Sequence, residues 1–439
     1  MSELRDFLHK TALDIFLRLV TYDTQADATS KSVPSSTGQI SFMNMLNDEF
    51  KSHGFDPYLS ESYSLYIQLP ATKGLESVQG ISFLAHIDTS PESSGANVKP
   101  IIHKNYQGGP ITYPNSNMVL TDHDEPALKN YIGRDLITSD GSTLLGADDK
   151  SGVACLYAVL LAIKKFNISH GPLSICFTCD EEIGRGTDHL DLTRLHSLAF
   201  TIDGGEEGTF EIECFDAWGC TINFEGIVTH PGSAHDKMIN ASLEMSRFVT
   251  QLFSSFRSPE HSHGRDGFVY ITHLEGGCES SKLQLLLRSF SQEENAHVRS
   301  AIQALVNYYK EAKKGLQITL SFKHQYSNMY KHFQENGETI ISMLKGAIAR
   351  AGLIPRQEII RGGTDGCRLC EMGILCANIF DGGHLFHSRR EFCPVDGPGK
   401  AAETVIAIVD LIQSSDIVLP HPSDLLEGTG EIEEGVVCK

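Results

Sequence analysis

The sequence predicts an α/β protein into which a second, smaller α+β domain is inserted. Apolar, strand-like runs alternate with helical patterns over roughly the first 210 residues, and the same alternation returns after about residue 330. Between these stretches the patterns follow the order β-α-β-β-α-β, which is the order of a ferredoxin-like domain. We therefore expect one discontinuous domain formed by residues 1–212 and 329–439, with residues 213–328 inserted as a separate domain.

Length, charge and cysteine content limit the classes of protein that fit this chain. Its 439 residues suffice for two or three domains, and its formal net charge of −20 makes nucleic acids and anionic membranes poor partners. The first residues do not combine a basic segment with an apolar core, so we expect no signal peptide. No apolar run reaches the roughly 18 residues of a membrane span. Eleven cysteines without a secretory signal favour a reducing, cytoplasmic compartment.

Hydrophobic spacing predicts the elements of the first domain. Apolar side chains at intervals of three and four residues indicate helices, and short continuous apolar runs indicate buried strands. Helices are expected over 3–19, 39–53 and 151–166, and strands over 64–69, 81–87, 173–179 and 198–203. The polar connection over residues 89–143 is too long for a simple turn and is expected to hold short irregular hairpins.

The same spacing predicts the inserted domain and the return to the first one. The insert is expected to contain strands at 217–225, 267–275, 282–290 and 315–324 and helices at 238–256 and 292–313. After it, helices are expected at 336–351 and 398–414, with an apolar run ending at Phe380 between them. The acidic, glycine-rich tail from Glu427 is expected to be mobile.

Residues with metal-binding side chains follow the predicted strands where those strands end. His86 and Asp88 are two residues apart after one strand, so they share a face. Asp148 and Asp149 directly precede an apolar helix, and two adjacent buried carboxylates are costly unless a cation compensates them. Three further acids follow strands in the same way, namely Glu181, Glu182 and Asp203.

Each of these features alone has a plainer interpretation. His86 could be a surface histidine with a chance acidic neighbour, the Asp148-Asp149 pair could cap the following helix, and residues 180–182 could form a solvated acidic turn. Taken together they point elsewhere, because open α/β sheets place their functional sites at the carboxyl ends of strands. Two metal ions about 3.5–4 Å apart, held by histidine and carboxylate ligands, are suited to hydrolysis.

At these residues the sequence resembles the co-catalytic zinc metallopeptidases, a family that also contains carboxypeptidase G and the aminoacylases. The matching segments occur in the family's order across nearly the whole chain: 22–25, 86–91, 146–150, 180–184, 202–205, 230–232, 361–366 and His387. The resemblance implies a mixed-sheet zinc-exopeptidase domain whose insert serves as a lid or dimerisation domain. It is greatest for the family's tripeptide aminopeptidases, with dipeptidase, carboxypeptidase and aminoacylase activities as alternatives. A non-catalytic peptide-binding protein is a more distant alternative.

The resemblance also implies a role for each matching residue. Two zinc ions, or manganese or cobalt in their place, would be held by five ligands. These are His86 and Asp203 at one ion, Glu182 and His387 at the other, and Asp148 between both. Asp88 would orient His86, and Glu181 would be the general base.

The substrate-binding residues implied by the resemblance lie in or next to the insert. His230 would help to polarise the scissile carbonyl, while Arg288 and Arg361 would bind the carboxylate of a small peptide. His384 is a rival to His387, but the family pattern favours the later residue. An open sheet edge in the insert would allow a homodimer.

Some positions depart from the pattern of the family's tripeptide aminopeptidases, among them Glu206, Glu207, Trp218, His235-Asp236 and the basic run 388–390. Glu206 and Glu207 stand where small or apolar residues are usual, and Trp218 stands at the entry to the insert. Since none of them replaces a ligand, they bear on substrate choice rather than on metal chemistry.

Overall fold

The computed structural model describes residues 2–420, which form two compact units. The first unit contains residues 2–212, 332–359 and 364–420, and the second contains residues 213–331 and 360–363. The tail predicted to be mobile from Glu427 lies outside the described residues. No helix within residues 2–420 is long and apolar enough to cross a membrane.

The helices and strands are numbered here in chain order. The helices are α1 Ser2–Leu19, α2 Thr37–Ser52, α3 Ala147–Phe166, α4 Ala241–Leu252, α5 Gln292–Ala312, α6 Gly337–Arg350, α7 Asp365–Glu371 and α8 Gly397–Leu411. The strands are β1 Pro57–Leu59, β2 Leu65–Leu69, β3 Ile81–His86, β4 Ile101–His103, β5 Ile111–Thr112, β6 Val119–Leu120, β7 Leu136–Thr138, β8 Leu173–Thr178, β9 Leu198–Gly204, β10 Thr209–Cys214, β11 Asp216–Glu225, β12 Phe268–Gly276, β13 Ser280–Ser289, β14 Gln317–Tyr326, β15 Arg356–Ile360, β16 Leu375–Phe380 and β17 Phe392–Pro394.

The first unit is built on an eight-stranded sheet of order β1-β2-β8-β3-β9-β16-β10-β15. Its centre is parallel, because β3 pairs in parallel with β8 and β9, and β16 pairs in parallel with β9. Antiparallel pairs flank this centre, β1 with β2, β2 with β8, and β10 with β16. The sheet is therefore mixed, and the predicted α/β class is confirmed.

Burial explains why the central strands are continuous apolar runs. Every residue of β3, β8 and β16 is buried, as expected for parallel strands inside an α/β unit. Helix α3 packs against β3 and β9, and helices α1 and α8 pack against α3. Because β3 pairs in parallel with both β8 and β9, the carboxyl ends of these three strands lie side by side at one edge of the sheet.

The long connection after β3 contributes to two small sheets, one of which also includes β17 from the later part of the chain. Strands β17, β7 and β4 pair as a three-stranded sheet, and β5 and β6 form a short antiparallel pair. Side chains from this region surround an apolar cluster that includes Tyr113, Leu128, Tyr131 and Phe392. This packing fixes the chain on both sides of the segment that carries His387.

The second unit is a four-stranded antiparallel sheet of order β12-β13-β11-β14. Helices α4 and α5 cover one face, and Ile222, Phe248, Leu285 and Ile302 are buried between the two layers. The order of elements along the chain is β-α-β-β-α-β, and the outer strands are β12 and β14. This is the ferredoxin-like arrangement.

Glu211 is a buried acid within the sheet of the first unit. It lies on β10 with 6% of its surface exposed, and its Oε2 atom has no hydrogen-bond partner among residues 2–420. Burial raises the pKa of this carboxyl from its usual 4.5 to about 8, because the charged form loses its contact with water. The folded protein therefore keeps a proton that the unfolded chain releases.

Glu211→Gln should reduce the loss of stability that accompanies rising pH. Between pH 4.5 and about pH 8 the unfolded chain releases this proton while the folded chain keeps it, so the wild type becomes less stable as pH rises. The free energy of unfolding of the variant, relative to wild type, should increase by on the order of 1 kcal/mol per pH unit over that window. Chemical denaturation of both proteins across the window measures the difference, and a constant difference would contradict a buried protonated acid.

Candidate metal centre

Five side chains from separate parts of the first unit meet at the carboxyl edge of its sheet. His86 ends β3, Asp203 lies near the end of β9, and Glu182 lies in a short 3-10 turn after β8. Asp148 stands in the first turn of α3, and His387 belongs to the loop between β16 and β17. The structure thus brings together all five of the predicted metal-binding residues.

The distances divide these five side chains into two half-sites that share Asp148. His86 Nε2 is 3.0 Å from Asp148 Oδ1 and 3.4 Å from Asp203 Oδ1. His387 Nε2 is 3.2 Å from Asp148 Oδ2 and 3.0 Å from Glu182 Oε2. Each oxygen of one carboxylate therefore faces a different imidazole, and each imidazole faces one further carboxylate.

The chemistry of this donor set fits divalent cations. Imidazole nitrogens and carboxylate oxygens are ligands for zinc, manganese and cobalt. One oxygen of Glu182, Oε1, is buried without a hydrogen-bond partner among the described residues. His86, Asp148 and Glu182 also offer one ligand atom each within 4.8 Å of one another. The first unit therefore has a candidate metal site around His86, Asp148 and Asp203.

Asp149 is close to the same site but is held by backbone donors. It also lies within 4.8 Å of His86 and Asp203 atoms. However, its Oδ2 accepts a hydrogen bond from the N–H of His86 at 3.1 Å, and its Oδ1 accepts one from the N–H of Gly152 at 3.0 Å. We therefore interpret Asp149 as fixing the end of β3 and the start of α3, and Asp148 as the ligand of the pair.

Burial and mutual charge shift the pKa values of the whole cluster. Burial and the negative charge of Asp148 raise the pKa of Glu182 to about 8, and burial raises the pKa of Asp203 to about 6. Burial would lower the pKa of His387, but its hydrogen bonds to Asp148 and Glu182 raise that pKa to about 11. Asp148 is the exception, because hydrogen bonds from both imidazoles outweigh burial and lower its pKa.

Glu181 lies beside this cluster without belonging to it. Its Oε2 is 3.9 Å from His86 Nε2, and its side chain is 13% exposed. Burial, followed by the negative charge of Asp203, raises the pKa of this carboxyl well above its usual value. A carboxylate with a raised pKa at this position is suited to accept a proton at neutral pH.

Asp88 faces His86 with both its backbone oxygen and its carboxylate. The Nδ1 atom of His86 is 3.1 Å from the backbone oxygen of Asp88 and 3.5 Å from its carboxylate Oδ1. The two carboxylate oxygens accept hydrogen bonds from the backbone N–H groups of Glu181 and Glu182, both at 3.1 Å. The buried Asp88 side chain therefore holds the acidic turn as well as facing the histidine.

Asp180 shows how three consecutive acids take separate roles. It adopts a left-handed backbone conformation with φ of 62°, and its side chain points into the protein. Its carboxylate accepts hydrogen bonds from the N–H of Ser35 at 2.7 Å and from the side-chain amide of Gln39 at 2.7 Å. Asp180 is thus a structural anchor, while Glu181 and Glu182 turn toward the metal site.

His384, the predicted rival of His387, lies away from the cluster. Its Nε2 is 2.6 Å from the hydroxyl of Tyr131, and its ring stacks on Phe392 at 4.6 Å between centroids. Burial lowers the pKa of His384 to about 3, so this ring is neutral.

The three predicted substrate-binding residues all lie in the second unit. His230 is exposed, and its Nδ1 accepts a hydrogen bond from the N–H of Gly232 at 3.1 Å. Arg288 Nη1 donates to the backbone oxygen of Leu287 at 3.1 Å. The guanidinium of Arg361 donates to the Ser262 hydroxyl at 2.7 Å and to backbone oxygens of the same loop. Their contacts with substrate remain predictions.

The unusual acids after β9 are explained by ion pairs within the first unit. The buried carboxylate of Glu207 accepts two hydrogen bonds from Arg134, at 2.6 and 2.7 Å, and lies 3.4 Å from Lys400 Nζ. Glu206 pairs with Arg356 at 2.8 Å. Both acids therefore neutralise buried or half-buried cations, and this role needs no substrate.

Trp218 is explained by contacts within the second unit. Its Nε1 donates to Asp216 Oδ2 at 3.0 Å, and the guanidinium of Arg299 lies 3.7 Å from the centre of its ring. These contacts attach β11 to α5.

The chain is similar to known proteins both in sequence and in structure. The profile of Peptidase family M20/M25/M40 matches residues 140–411. The curated Peptidase T of Parabacteroides distasonis is 41% identical over 405 residues, which cover 91% of this chain and 98% of that protein. The Peptidase T of Aeromonas hydrophila is 38% identical, with coverage of 91% and 98%.

Two solved structures illustrate the likeness in fold. Aminopeptidase PepT from Bacillus cereus superposes with a TM-score of 0.71 at 22% identity, covering 92% of this chain and 98% of that one. The YXEP protein of Bacillus subtilis, described as a dinuclear metal-binding peptidase of the M20 family, superposes with a TM-score of 0.63 at 12% identity and with coverage of 92% and 98%.

His387→Ala should remove one of two bound metal ions, whereas His384→Asn should leave both in place. The reason is that His387 faces two carboxylates of the cluster, while His384 faces Tyr131. Metal content measured by mass spectrometry after loading with zinc should fall by about one equivalent in His387→Ala alone. His384→Asn is expected to lower only the melting temperature, and the opposite result for metal content would reverse the assignment.

Proposed function

Since the chain belongs to Peptidase family M20/M25/M40, we propose that it is a metal-dependent aminopeptidase that releases the N-terminal residue of tripeptides. The observation that carries the proposal is the pair of half-sites joined by Asp148, with the carboxylate of Glu181 beside them. The substrate class follows from the Peptidase T relatives, which are 36–41% identical over 90% or more of this chain.

We propose two zinc ions as the cofactors, with manganese or cobalt as alternatives. His86 and Asp203 would hold one ion, Glu182 and His387 would hold the other, and Asp148 would contact both. When bound, such ions lower the pKa of a coordinated water and stabilise negative charge on a carbonyl oxygen. The separation of Asp148's two oxygens between two imidazoles supports this division of ligands.

In the proposed reaction Glu181 moves the proton. Its carboxylate, through Oε2, accepts a proton from the water whose oxygen attacks the carbonyl carbon of the first peptide bond. The carbon–nitrogen bond then breaks, and Glu181 returns the proton to the leaving nitrogen, so the products are a free amino acid and a dipeptide. Asp88 keeps the backbone of Glu181 in place during both transfers.

The substrate side of the proposal rests on residues of the second unit. We assign polarisation of the scissile carbonyl to His230 and binding of the peptide carboxylate to Arg288 and Arg361. Arg361 donates to three oxygens of the 262–266 loop, and Arg288 donates through Nη1 to the backbone oxygens of Leu287 and Trp218, so both arginines stay candidates.

The proposal predicts metal-dependent cleavage of Ala-Ala-Ala from its amino end. Ala-Ala and N-acetylated Ala-Ala-Ala should be poor substrates, since one lacks the third residue and the other lacks a free amine. Product analysis by chromatography, before and after chelation and zinc add-back, provides the measurement. Preferred cleavage of the dipeptide or the acetylated peptide would reassign the activity to another amide hydrolase of the same scaffold.

Two variants separate the proposed base from the neighbouring ligand. Glu181→Gln should lower kcat by about 100- to 10,000-fold while both metal ions remain bound. Glu182→Gln should instead reduce metal content. A Glu181→Gln enzyme that is fully active would remove Glu181 from the mechanism, and a folded, metal-loaded wild type that cuts no peptide would favour a peptide-binding role.

We further propose a homodimer formed through the second unit, in a cytoplasmic protein. The edge strand β12 exposes about half of Tyr270 (47%) and Leu274 (50%), so a second copy could pair with this edge and cover both side chains. The ten cysteines within residues 2–420 are all free, which suits a reducing compartment.

Leu274→Lys should convert the proposed dimer to a monomer, because a charge on the edge strand opposes pairing with a second copy. Tyr308→Lys, at another exposed apolar side chain on α5, is the matched control and should stay dimeric. Sedimentation velocity at micromolar concentration distinguishes the two states, and a monomeric wild type would count against the dimer.

A further inference from the structure

Glu391 is a buried acid that faces the start of α3 from a distant part of the chain. It is 1% exposed, and its carboxylate accepts hydrogen bonds from four consecutive backbone N–H groups. Oε2 accepts those of Leu145 at 2.7 Å and Gly146 at 2.8 Å. Oε1 accepts those of Ala147 at 2.7 Å and Asp148 at 3.2 Å. Both oxygens are fully used in this contact.

These four donors would otherwise lack a partner. Leu145 and Gly146 precede the helix, and Asp148 and Asp149 depart from helical φ and ψ, so no helical turn supplies acceptors for these N–H groups, which are costly to bury unpaired. Here the N-cap is Gly146, which has no side chain and a left-handed φ of 82°. A neutral capping side chain, such as that of a serine, would accept hydrogen bonds from only one or two of these four N–H groups and would place no charge next to Asp148. A carboxylate that spans all four fixes the path of the chain from residue 145 to 148.

The loop that carries Glu391 also carries a predicted metal ligand. His387, four residues earlier, places its Nε2 3.2 Å from Asp148 Oδ2. The loop is itself held, since the Ser93 hydroxyl donates to the backbone oxygen of His387 at 2.8 Å and His384 pairs with Phe392. One loop therefore contacts Asp148 twice. Glu391 accepts a hydrogen bond from its backbone N–H, and His387 faces its carboxylate.

We propose that Glu391 is a positioning residue that orients the Asp148 carboxylate between the two half-sites and thereby sets the affinity for metal ions. The inference rests on the proposed function, since it takes Asp148 as the shared ligand. Glu391 lies behind the backbone of residues 145–148 and acts through Asp148. The contact is made by groups of the chain alone, so it needs no ligand atom from a metal ion.

Metal titration of Glu391→Gln tests this role without relying on hydrolysis. The variant replaces one acceptor oxygen by an NH₂ group, which would face two backbone N–H donors. Cobalt binding followed by absorption, and zinc binding measured against a competing chelator, should be weakened by about 10- to 100-fold, as is usual when a residue that supports a ligand is changed. Glu391→Asp, which keeps both oxygens on a shorter side chain, should recover part of the affinity.

Glu207→Gln is the matched control for loss of a buried carboxylate. Glu207 holds Arg134 in the same unit and has no contact with residues 145–148 among the hydrogen bonds and ion pairs of the described chain. This control should lower the melting temperature but leave metal affinity within about twofold of wild type. A folded Glu391→Gln with wild-type metal affinity would overturn the proposal.

Hydrogen exchange of the wild type gives a second test that does not depend on how the variants fold. The amides of residues 145–148 should be strongly protected in the metal-loaded protein and also after chelation, because Glu391 accepts all four. Exchange of these amides at the rate of exposed loops would overturn the proposal. Weak metal binding by Glu391→Gln beside a wild type that cuts no tripeptide would support the positioning role and reject the proposed activity. If the wild type cleaves tripeptides while Glu391→Gln binds metal ions as tightly as wild type, the proposed activity is supported and the positioning role is rejected.

Discussion

The structure of the first unit depends on keeping one carboxylate, that of Asp148, between two imidazoles. A buried carboxylate is stable only when its charge is balanced and its oxygens are bonded. His86 and His387 provide that balance from opposite sides, at 3.0 and 3.2 Å. The parallel centre of the sheet brings the ends of β3, β8 and β9 together, and this convergence places the remaining acids around the same point.

The acids near this point divide into those that face the site and those that build it. Asp148, Glu181, Glu182 and Asp203 face it. Asp88, Asp149, Asp180 and Glu391 instead accept backbone or amide hydrogen bonds from the segments that carry the first group. Adjacent residues take opposite roles in two places, Asp148-Asp149 and Asp180-Glu181, because neighbouring side chains leave the backbone in different directions. Carboxylates that anchor the backbone, together with those that face the site, account for the high density of negative charge around it.

Local sequence patterns predicted the α/β class and the histidine and acids at the strand ends, since each depends on short-range spacing. The family and the roles of the matching residues followed instead from the resemblance of several segments along the chain. The order of the insert was also readable, because its strands and helices have clear periods of two and 3.6 residues. Contacts between residues that are far apart in the sequence could not be predicted from it. Glu391 accepts hydrogen bonds from residues about 245 positions earlier in the chain, and Asp180 contacts Gln39, which is 141 positions earlier. Local periodicity of the sequence cannot reveal either contact. Glu207 is a similar case. Its partner Arg134 is 73 residues away, so the ion pair could not be predicted, and the sequence suggests an effect of Glu207 on substrate choice instead.

The hydrogen bonds of Asp88 have a consequence for how this site can change by mutation. Its two oxygens hold the backbone of two successive residues, one expected to move protons and one expected to bind metal. The two chemical roles are therefore mechanically linked, and a backbone shift that relocates one relocates the other. A change in the proposed reaction would therefore need coordinated changes in this turn. Because the substrate-binding residues proposed for this chain lie in the second unit, its choice of substrate could change through single substitutions there while this turn stays the same.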